Sequence, residues 1–320
     1  MLTEKKETME NIQKMISNKR DIATSTARTY AYSVLRLQRL IDSMDFENKL
    51  SDIKSKTKGL SASVRKMLVT AAIVFLKAKN KNTTKLSEFQ KELNVLATDQ
   101  TKLQKKTDKD AKQWITLKDV QSVLNQIKSE IKRKKIWENK KPNSKDRELL
   151  QLHFIIEFYT KFAIRNELAT VIIATPYEYQ HMSIANKKKG NWLVDNKIYN
   201  FVFKTAKHFD KRGKLPLEYK LNRPMMSALK KWLKVKPEGK HLFYMQNNTP
   251  LTGYNGRAML GKWLAKTFYK YIRKRISTQM LRKVYLTSLL QDSLDLKSRL
   301  DTMEKMGQTS LFTQESYRRH

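Results

Sequence analysis

The chain has no cysteine among its 320 residues, which excludes disulfide staples and thiolate metal ligands. Its five histidines, at 153, 181, 208, 241 and 320, show no metal-ligand spacing with one another, and neither a metal nor another cofactor is expected. Glycine is scarce, with 8 residues, and no Walker-type loop cradles a nucleotide phosphate. The N-terminal run Met1-Leu-Thr-Glu-Lys-Lys-Glu7 lacks an apolar signal core, and no apolar run is long enough to span a membrane. These absences predict an intracellular protein with no membrane partner. Acidic residues are the last shortage: 30 Asp+Glu face 66 Lys+Arg, a net charge of +36.

The excess of positive charge, with a pI near 10.1, is spread along the whole chain rather than held in a tail. Such a surface suits a polyanion that it wraps. Nucleic acid fits better than an anionic membrane, because no strongly amphipathic basic helix is present. The length predicts two domains, and a hydrophobic content of 40% suffices for real cores.

Residues 1–20 are charged and weakly periodic, a mobile or helical arm. From Ser25 a helical face follows through Tyr30, Val34, Leu37 and Ile41. Leu60–Lys79 is a more uniformly apolar helix, suited to the centre of a bundle. Ser87-Glu-Phe-Gln90 has the form of a capping box opening a third helix to about Thr101. Together these predict a helical domain over 21–107. The polar stretch Lys105–Lys112 marks a boundary, with 108–113 as linker and 114–320 as the second domain. Thr116, with Asp119 three residues on, starts another helix. Lys128–Lys145 is expected to be a lysine-dense loop, and Ser144 to cap a helix ending near Ala163. From Asn191 the period shifts to that of strands: 192–195, 197–203 and 214–217 predict a small antiparallel sheet. Helices resume at 223–235, 252–271, 277–290 and 297–306.

Three places carry chemistry. Phe158-Tyr-Thr-Lys-Phe-Ala-Ile-Arg165-Asn-Glu167-Leu sets an arginine and a glutamate in an apolar segment. Ser277-Thr-Gln279-Met-Leu-Arg282-Lys sets a second arginine in a helix. Met306-Gly-Gln308 then precedes Tyr317 by nine residues, counted from Gln308 (317 − 308 = 9). Displacement at a DNA phosphodiester needs an in-line nucleophile, donors for two non-bridging oxygens and a proton for the leaving alkoxide. An arginine fork suits the second task, and preorganised donors of this kind are each worth about 10²–10³ in rate. A tyrosine, with an ordinary pKa of about 10, becomes a competent nucleophile when guanidinium groups favour its phenolate.

This constellation resembles the tyrosine recombinase (phage integrase) family, over roughly residues 21–320 and most specifically over 158–168 and 276–317. The Thr26–Tyr30 stretch is similar to the opening of that family's core-binding domain. The lysine-rich, cysteine-free form looks most like integrases of virophages and related small DNA viruses or mobile elements. The resemblance implies a mainly α fold with a small antiparallel sheet: a helical core-binding domain plus a catalytic domain. It implies strand cutting and rejoining through a covalent 3′-phosphotyrosine, without metal or ATP. Arg165 and Arg282 would bind the phosphate, Glu167 would support them, and Tyr317 would attack. Lys204, on a β-hairpin, would protonate the leaving 5′-oxygen, with Lys207 and His208 as alternatives. It also implies double-stranded DNA as partner, self-association as dimer or tetramer on that DNA, and a setting in host nucleus, cytoplasm or virion.

Two positions depart from the family pattern. Gln279 stands where a histidine is usual, and Gln308 where histidine or tryptophan is usual. Glutamine donates a hydrogen bond but shuttles no proton, so Gln308 serves as a phosphate donor while the base for Tyr317 stays open. The Arg-Arg-His tail is too short for the C-terminal helix that many relatives exchange. A type IB topoisomerase of viral size, with the same arginine, lysine and tyrosine chemistry, is the alternative of the same class. A recombinase fold that only binds DNA is the alternative of another class.

Overall fold

The computed structural model describes residues 8–19, 22, 24–102, 108–139, 141–291 and 295–309. It divides into two compact units, Met1–Leu103 and Gln104–His320.

The first unit is helical: α1 (Met9–Lys19), α2 (Thr24–Ile41), α3 (Leu50–Thr57), α4 (Ala62–Ala78) and α5 (Thr84–Lys102). Helix α4 is apolar on most sides, as a central helix must be, and Leu68, Val69 and Ala71–Leu76 are all buried. Against it lie Val34 and Leu37 of α2 and Leu86, Phe89 and Leu93 of α5. The segment expected to be an arm is instead part of this core, because Ile12 and Ile16, four residues apart on α1, are fully buried in it. Helix α5 begins before Ser87: Asn82 Oδ1 accepts the Thr84 amide at 2.8 Å, and the Ser87 amide already bonds to the Thr83 carbonyl.

The second unit holds the remaining elements. The stretch expected to be a linker is a short helix, α6 (Asp108–Gln113), followed by α7 (Leu117–Arg133) and α8 (Ser144–Tyr159). The capping box at Thr116 and Asp119 forms as expected, with both reciprocal bonds present. The lysine-dense stretch is helical through Arg133, because Ile127 and Ile131 keep the buried face in register while lysine itself propagates a helix well. Asn143, rather than Ser144, caps α8: its Oδ1 accepts the Asp146 amide at 2.9 Å. Every residue from Leu149 to Tyr159 is buried, which places α8 at the centre of the unit. A truncation such as Phe154→Ala there is expected to cost about 3–5 kcal/mol.

After α8 the chain makes a 3-10 turn (Asn166–Thr170), strand β1 (Val171–Ile173), two short helices α9 (Pro176–His181) and α10 (Ile184–Lys187), and strands β2 (Asn191–Val194) and β3 (Lys197–Asn200). Helix α11 (Ala206–Asp210) and strand β4 (Leu217–Lys220) follow. The sheet order is β1-β2-β3-β4. It is mixed rather than antiparallel: β1 runs parallel to β2, while β2–β3 and β3–β4 are antiparallel. A parallel pair needs a crossover, and α9 with α10 supplies it. Strand β4 starts at Leu217, later than expected, and Leu215–Pro216 leads into it. Helices α12 (Arg223–Leu233), α13 (Gly253–Ile272), α14 (Thr278–Gln291) and α15 (Leu296–Lys305) complete the described residues. Trp232 of α12 fills the core beside α8 and donates to the Leu242 carbonyl at 2.7 Å. Among the described residues no helix is long and apolar enough to cross a membrane.

Candidate functional site

The chain leaves α8 through Thr160, and Arg165 itself is extended (φ −75°, ψ −154°) at the start of the 3-10 turn. The Tyr159 hydroxyl fixes that bend by donating to the Arg165 carbonyl at 2.6 Å. A cleft of about 680 Å³ opens there, lined by Arg165, Asn166, Glu167, Phe203, Lys204, Tyr254, Arg257, Ser277, Thr278 and Gln279, among others. Residues scattered over more than a hundred positions thus converge on one concave, basic surface.

Lys204 reaches the cleft from a turn just after β3, not from the hairpin strand. The reason is a buried asparagine. Asn191 Oδ1 accepts the amides of Phe201 at 2.9 Å and Val202 at 2.8 Å, and its Nδ2 donates to the Val202 carbonyl at 3.1 Å. These bonds end strand pairing at Asn200 and pin the segment that delivers Lys204. Lys207 is exposed, and His208 packs edge-on against Phe209 at 5.8 Å. Neither lines the cleft.

Gln279 sits on the first turn of α14, exposed to the cleft. Arg282, one turn further, does not line it: its side chain is fully buried. Its Nη1 donates to the Ala163 carbonyl at 2.6 Å, and both terminal nitrogens lie 3.4 Å from the Met306 carbonyl. It therefore lies behind the backbone that carries Arg165 and beneath the end of α15. The charges of three arginines act on Glu167. Burial raises its carboxyl above the ordinary range, and the charges of Arg165, Arg282 and Arg257 oppose that rise.

The Met306-Gly-Gln308 turn is a Schellman closure of α15. The Gln308 amide bonds to the Met303 carbonyl at 3.0 Å, and the Gly307 amide to that of Glu304 at 2.8 Å. Gly307 has φ +62°, and a Cβ there would meet the Phe203 ring at 3.2 Å, so glycine alone fits without strain. The turn is moored to the lysine segment: Thr205 Oγ1 donates to the Gly307 carbonyl at 2.6 Å, Tyr219 donates to the Lys305 carbonyl at 2.7 Å, and Lys214 pairs with Glu304. Gln308 is buried, and neither atom of its amide has a hydrogen-bond partner among the described residues. Buried amides ordinarily find partners, and the position expected to donate to a phosphate is here turned inward and does not line the cleft. Tyr317 lies outside the described residues.

Sequence reasoning missed Asn191, Asn166, Tyr254 and Arg257. Tyr254, at the start of α13, is 69% exposed on the cleft rim. A large exposed aromatic ring beside paired cations is the only signal that marks it, and that signal needs coordinates. Among the described residues no cluster of three histidine, aspartate or glutamate side chains could hold a metal ion.

No family model matches the sequence, and no curated protein matches it. Solved structures match by fold. The Tn1549 transposon integrase in complex with transposon right end DNA aligns with a TM-score of 0.57 at 16% identity, over 98% of this chain and 95% of that one. The XerH site-specific recombinase bound to palindromic difH substrate aligns with a TM-score of 0.52 at 17% identity, over 97% of this chain and 80% of that one. The chain has the tyrosine recombinase fold, mainly helical with a small mixed sheet.

Proposed function

We propose that this protein is a site-specific DNA recombinase of the integrase type, cutting and rejoining duplex DNA through a covalent 3′-phosphotyrosine, in the integration or resolution of a mobile or viral element. The observation that carries the reading is the cleft, which gathers Arg165, Lys204 and Gln279 from three remote segments around the buried Glu167. The DNA held by the Tn1549 integrase and XerH structures makes duplex DNA the natural occupant of so basic a surface.

In this mechanism Arg165 and Gln279 donate to the non-bridging oxygens of the scissile phosphate. Gln308, buried in the Schellman turn, and Arg282, buried behind it, lie outside the cleft lining, and Arg282 acts by supporting the Arg165 backbone. Tyr317, as the phenolate left when its proton passes to solvent, forms a bond to phosphorus while the bond to the 5′-oxygen breaks, and Lys204 gives that oxygen its proton. The phosphotyrosine retains the energy of the original ester, so a 5′-hydroxyl from a partner strand reverses the step without ATP. Exchange of strands requires several cut sites held together, hence assembly of two or four copies on DNA.

One observation favours the DNA-binding protein that does not cut: Arg282 is buried against two backbone carbonyls rather than presented to the cleft. A nicked suicide duplex separates the two readings. The wild-type chain is expected to form a covalent adduct that Tyr317→Phe abolishes and Tyr254→Phe retains. Adduct from none of the three would establish the binder. Adduct lost only with Tyr254→Phe would move the nucleophile to the cleft rim.

A further inference from the structure

Arg257 is not singled out by its sequence context, yet the structure builds it into the cleft. It lies half-buried on the second turn of α13, beside Arg165 and Lys204. Its position is set by Asn166, the residue between Arg165 and Glu167. Asn166 Nδ2 donates to the Arg257 carbonyl at 2.9 Å, and Asn166 Oδ1 accepts the hydroxyl of Thr278, the first residue of α14. One amide side chain thus ties together the three elements that carry Arg165, Arg257 and Gln279.

The charge balance of this arrangement is incomplete. Among the described residues, no salt bridge engages Arg165, Arg257 or Lys204, although lysines elsewhere pair with carboxylates repeatedly. Among the described residues, Glu167 is a carboxylate on which the charges of both guanidinium groups act, and it is buried and bonds to neither. Like charges gathered in a partly desolvated cleft repel one another, and an anionic ligand relieves the repulsion. A guanidinium with open donors beside a phosphate-binding arginine matches a phosphodiester oxygen best, since its fork suits two oxygens at once.

We propose that Arg257 is a third phosphate-binding residue of this cleft, gripping the DNA backbone, and that Asn166 is the positioning residue that holds it in register with Arg165. The proposal rests on DNA as the occupant of the cleft but not on strand cutting. It deepens the reading above by naming which cation on α13 takes a backbone phosphate.

The test is equilibrium binding of the full chain to one duplex across a salt series. Each phosphate that the protein ceases to neutralise lowers the slope of log K against log salt by about 0.9. Arg257→Ala and Arg257→Gln should each reduce the slope by about one and weaken binding several-fold at about 0.1 M salt. Arg257→Lys should keep the slope, because a cation remains. Asn166→Ala should also lower the slope, and the double variant Asn166→Ala/Arg257→Ala should show no more loss of slope than Arg257→Ala alone. A merely structural asparagine would give additive losses and overturn its assigned role. An unchanged slope in both Arg257→Ala and Arg257→Gln would overturn the proposal, as would a loss of affinity confined to one base sequence, which would mark a base contact. The outcome is separable from that of the suicide-substrate experiment. Wild-type chain that forms no adduct, while Arg257→Ala still lowers the slope, refutes cutting and keeps the phosphate grip. The reverse pattern keeps cutting and refutes the grip.

Discussion

Arg165 and Arg282 are equivalent in the sequence motif and opposite in the fold, and the difference is measurable. Arg282 is fully buried, donates to the Ala163 carbonyl at 2.6 Å and lies 3.4 Å from the Met306 carbonyl. A hydrogen bond from a charged donor contributes about 1.5–3 kcal/mol, and a buried carbonyl left without its donor costs about 1–3 kcal/mol. The longer approaches to Met306 add little at that distance. Arg282→Ala is therefore expected to destabilise its unit by about 3 kcal/mol, since alanine reaches neither carbonyl. For a unit of this size each kcal/mol lowers the melting temperature by about 2–4 °C, so the transition should fall by about 6–12 °C. Loss of Arg282 also removes a positive charge that opposes protonation of Glu167, so the Glu167 carboxyl rises further. Arg165 is half-buried and enters no salt bridge among the described residues. Arg165→Ala should therefore leave the melting temperature within about 2 °C while abolishing adduct. Differential scanning calorimetry of both variants decides the matter. An Arg282→Ala transition within about 2 °C of wild type would refute the reasoning, for it would mean that these bonds do not hold the segment bearing Arg165 to the end of α15.

Lys204 and Lys207 are separated by the leaving group: Lys204→Ala should slow cleavage of a normal duplex by about 10²–10⁴, and a 5′-bridging sulfur, which leaves without a proton, should restore most of that rate. Lys207→Ala should change neither substrate by more than about threefold, and a sulfur rescue seen with Lys207→Ala instead would reverse the assignment. His153, buried on α8 with Glu157 at 3.9 Å and Lys128 and Lys231 nearby, has its imidazole held down to about 4, first by burial and then by those lysines. Its unfolded form takes up a proton near 6.5, so the stability it contributes is complete above that pH and is lost as pH falls towards about 4, on the order of 3 kcal/mol in all. Urea titrations at about pH 7 and about pH 4.5 should show a smaller acid loss for His153→Leu than for wild type; equal losses would refute it.

Much of the helical frame was legible from spacing alone. The capping box at Thr116 needs two residue types three apart and nothing else, and it forms. Where capping chemistry failed, a competitor stood close by. Asn143 sits one residue before Ser144 and reaches the same turn of amides with a longer arm, and Asn82 supplies the start expected of Ser87. Strand β1 was invisible because three apolar residues carry no period with which to tell strand from helix. Without it the parallel pairing that makes the sheet mixed is invisible too. At the candidate site, Arg165 and Glu167 were expected from an apolar frame together with the family motif, and Gln279 and Lys204 from the resemblance alone; the four line one cleft. Arg257 was not legible: in a chain with 66 Lys+Arg, one more arginine on a helix carries no signal. What distinguishes it is a bond from Asn166, 91 residues earlier, and sequence order does not report such approaches. The burial of Arg282 was hidden for a related reason, since helical spacing gives a face but not what covers it.

The mooring of Gly307 to Thr205 acts as a stake for whatever lies beyond it. From Gln308 to Tyr317 the covalent chain has nine links (317 − 308 = 9), which at full stretch cover roughly 30 Å. That length bounds how far the Cα of Tyr317 can lie from one fixed point of the fold, whatever path the chain takes. A radius of that order exceeds the width of a duplex, so in the proposed reaction covalent length alone does not restrict Tyr317 to DNA bound by its own copy. Each residue deleted between positions 309 and 316 shrinks that bound by roughly 3.3–3.6 Å.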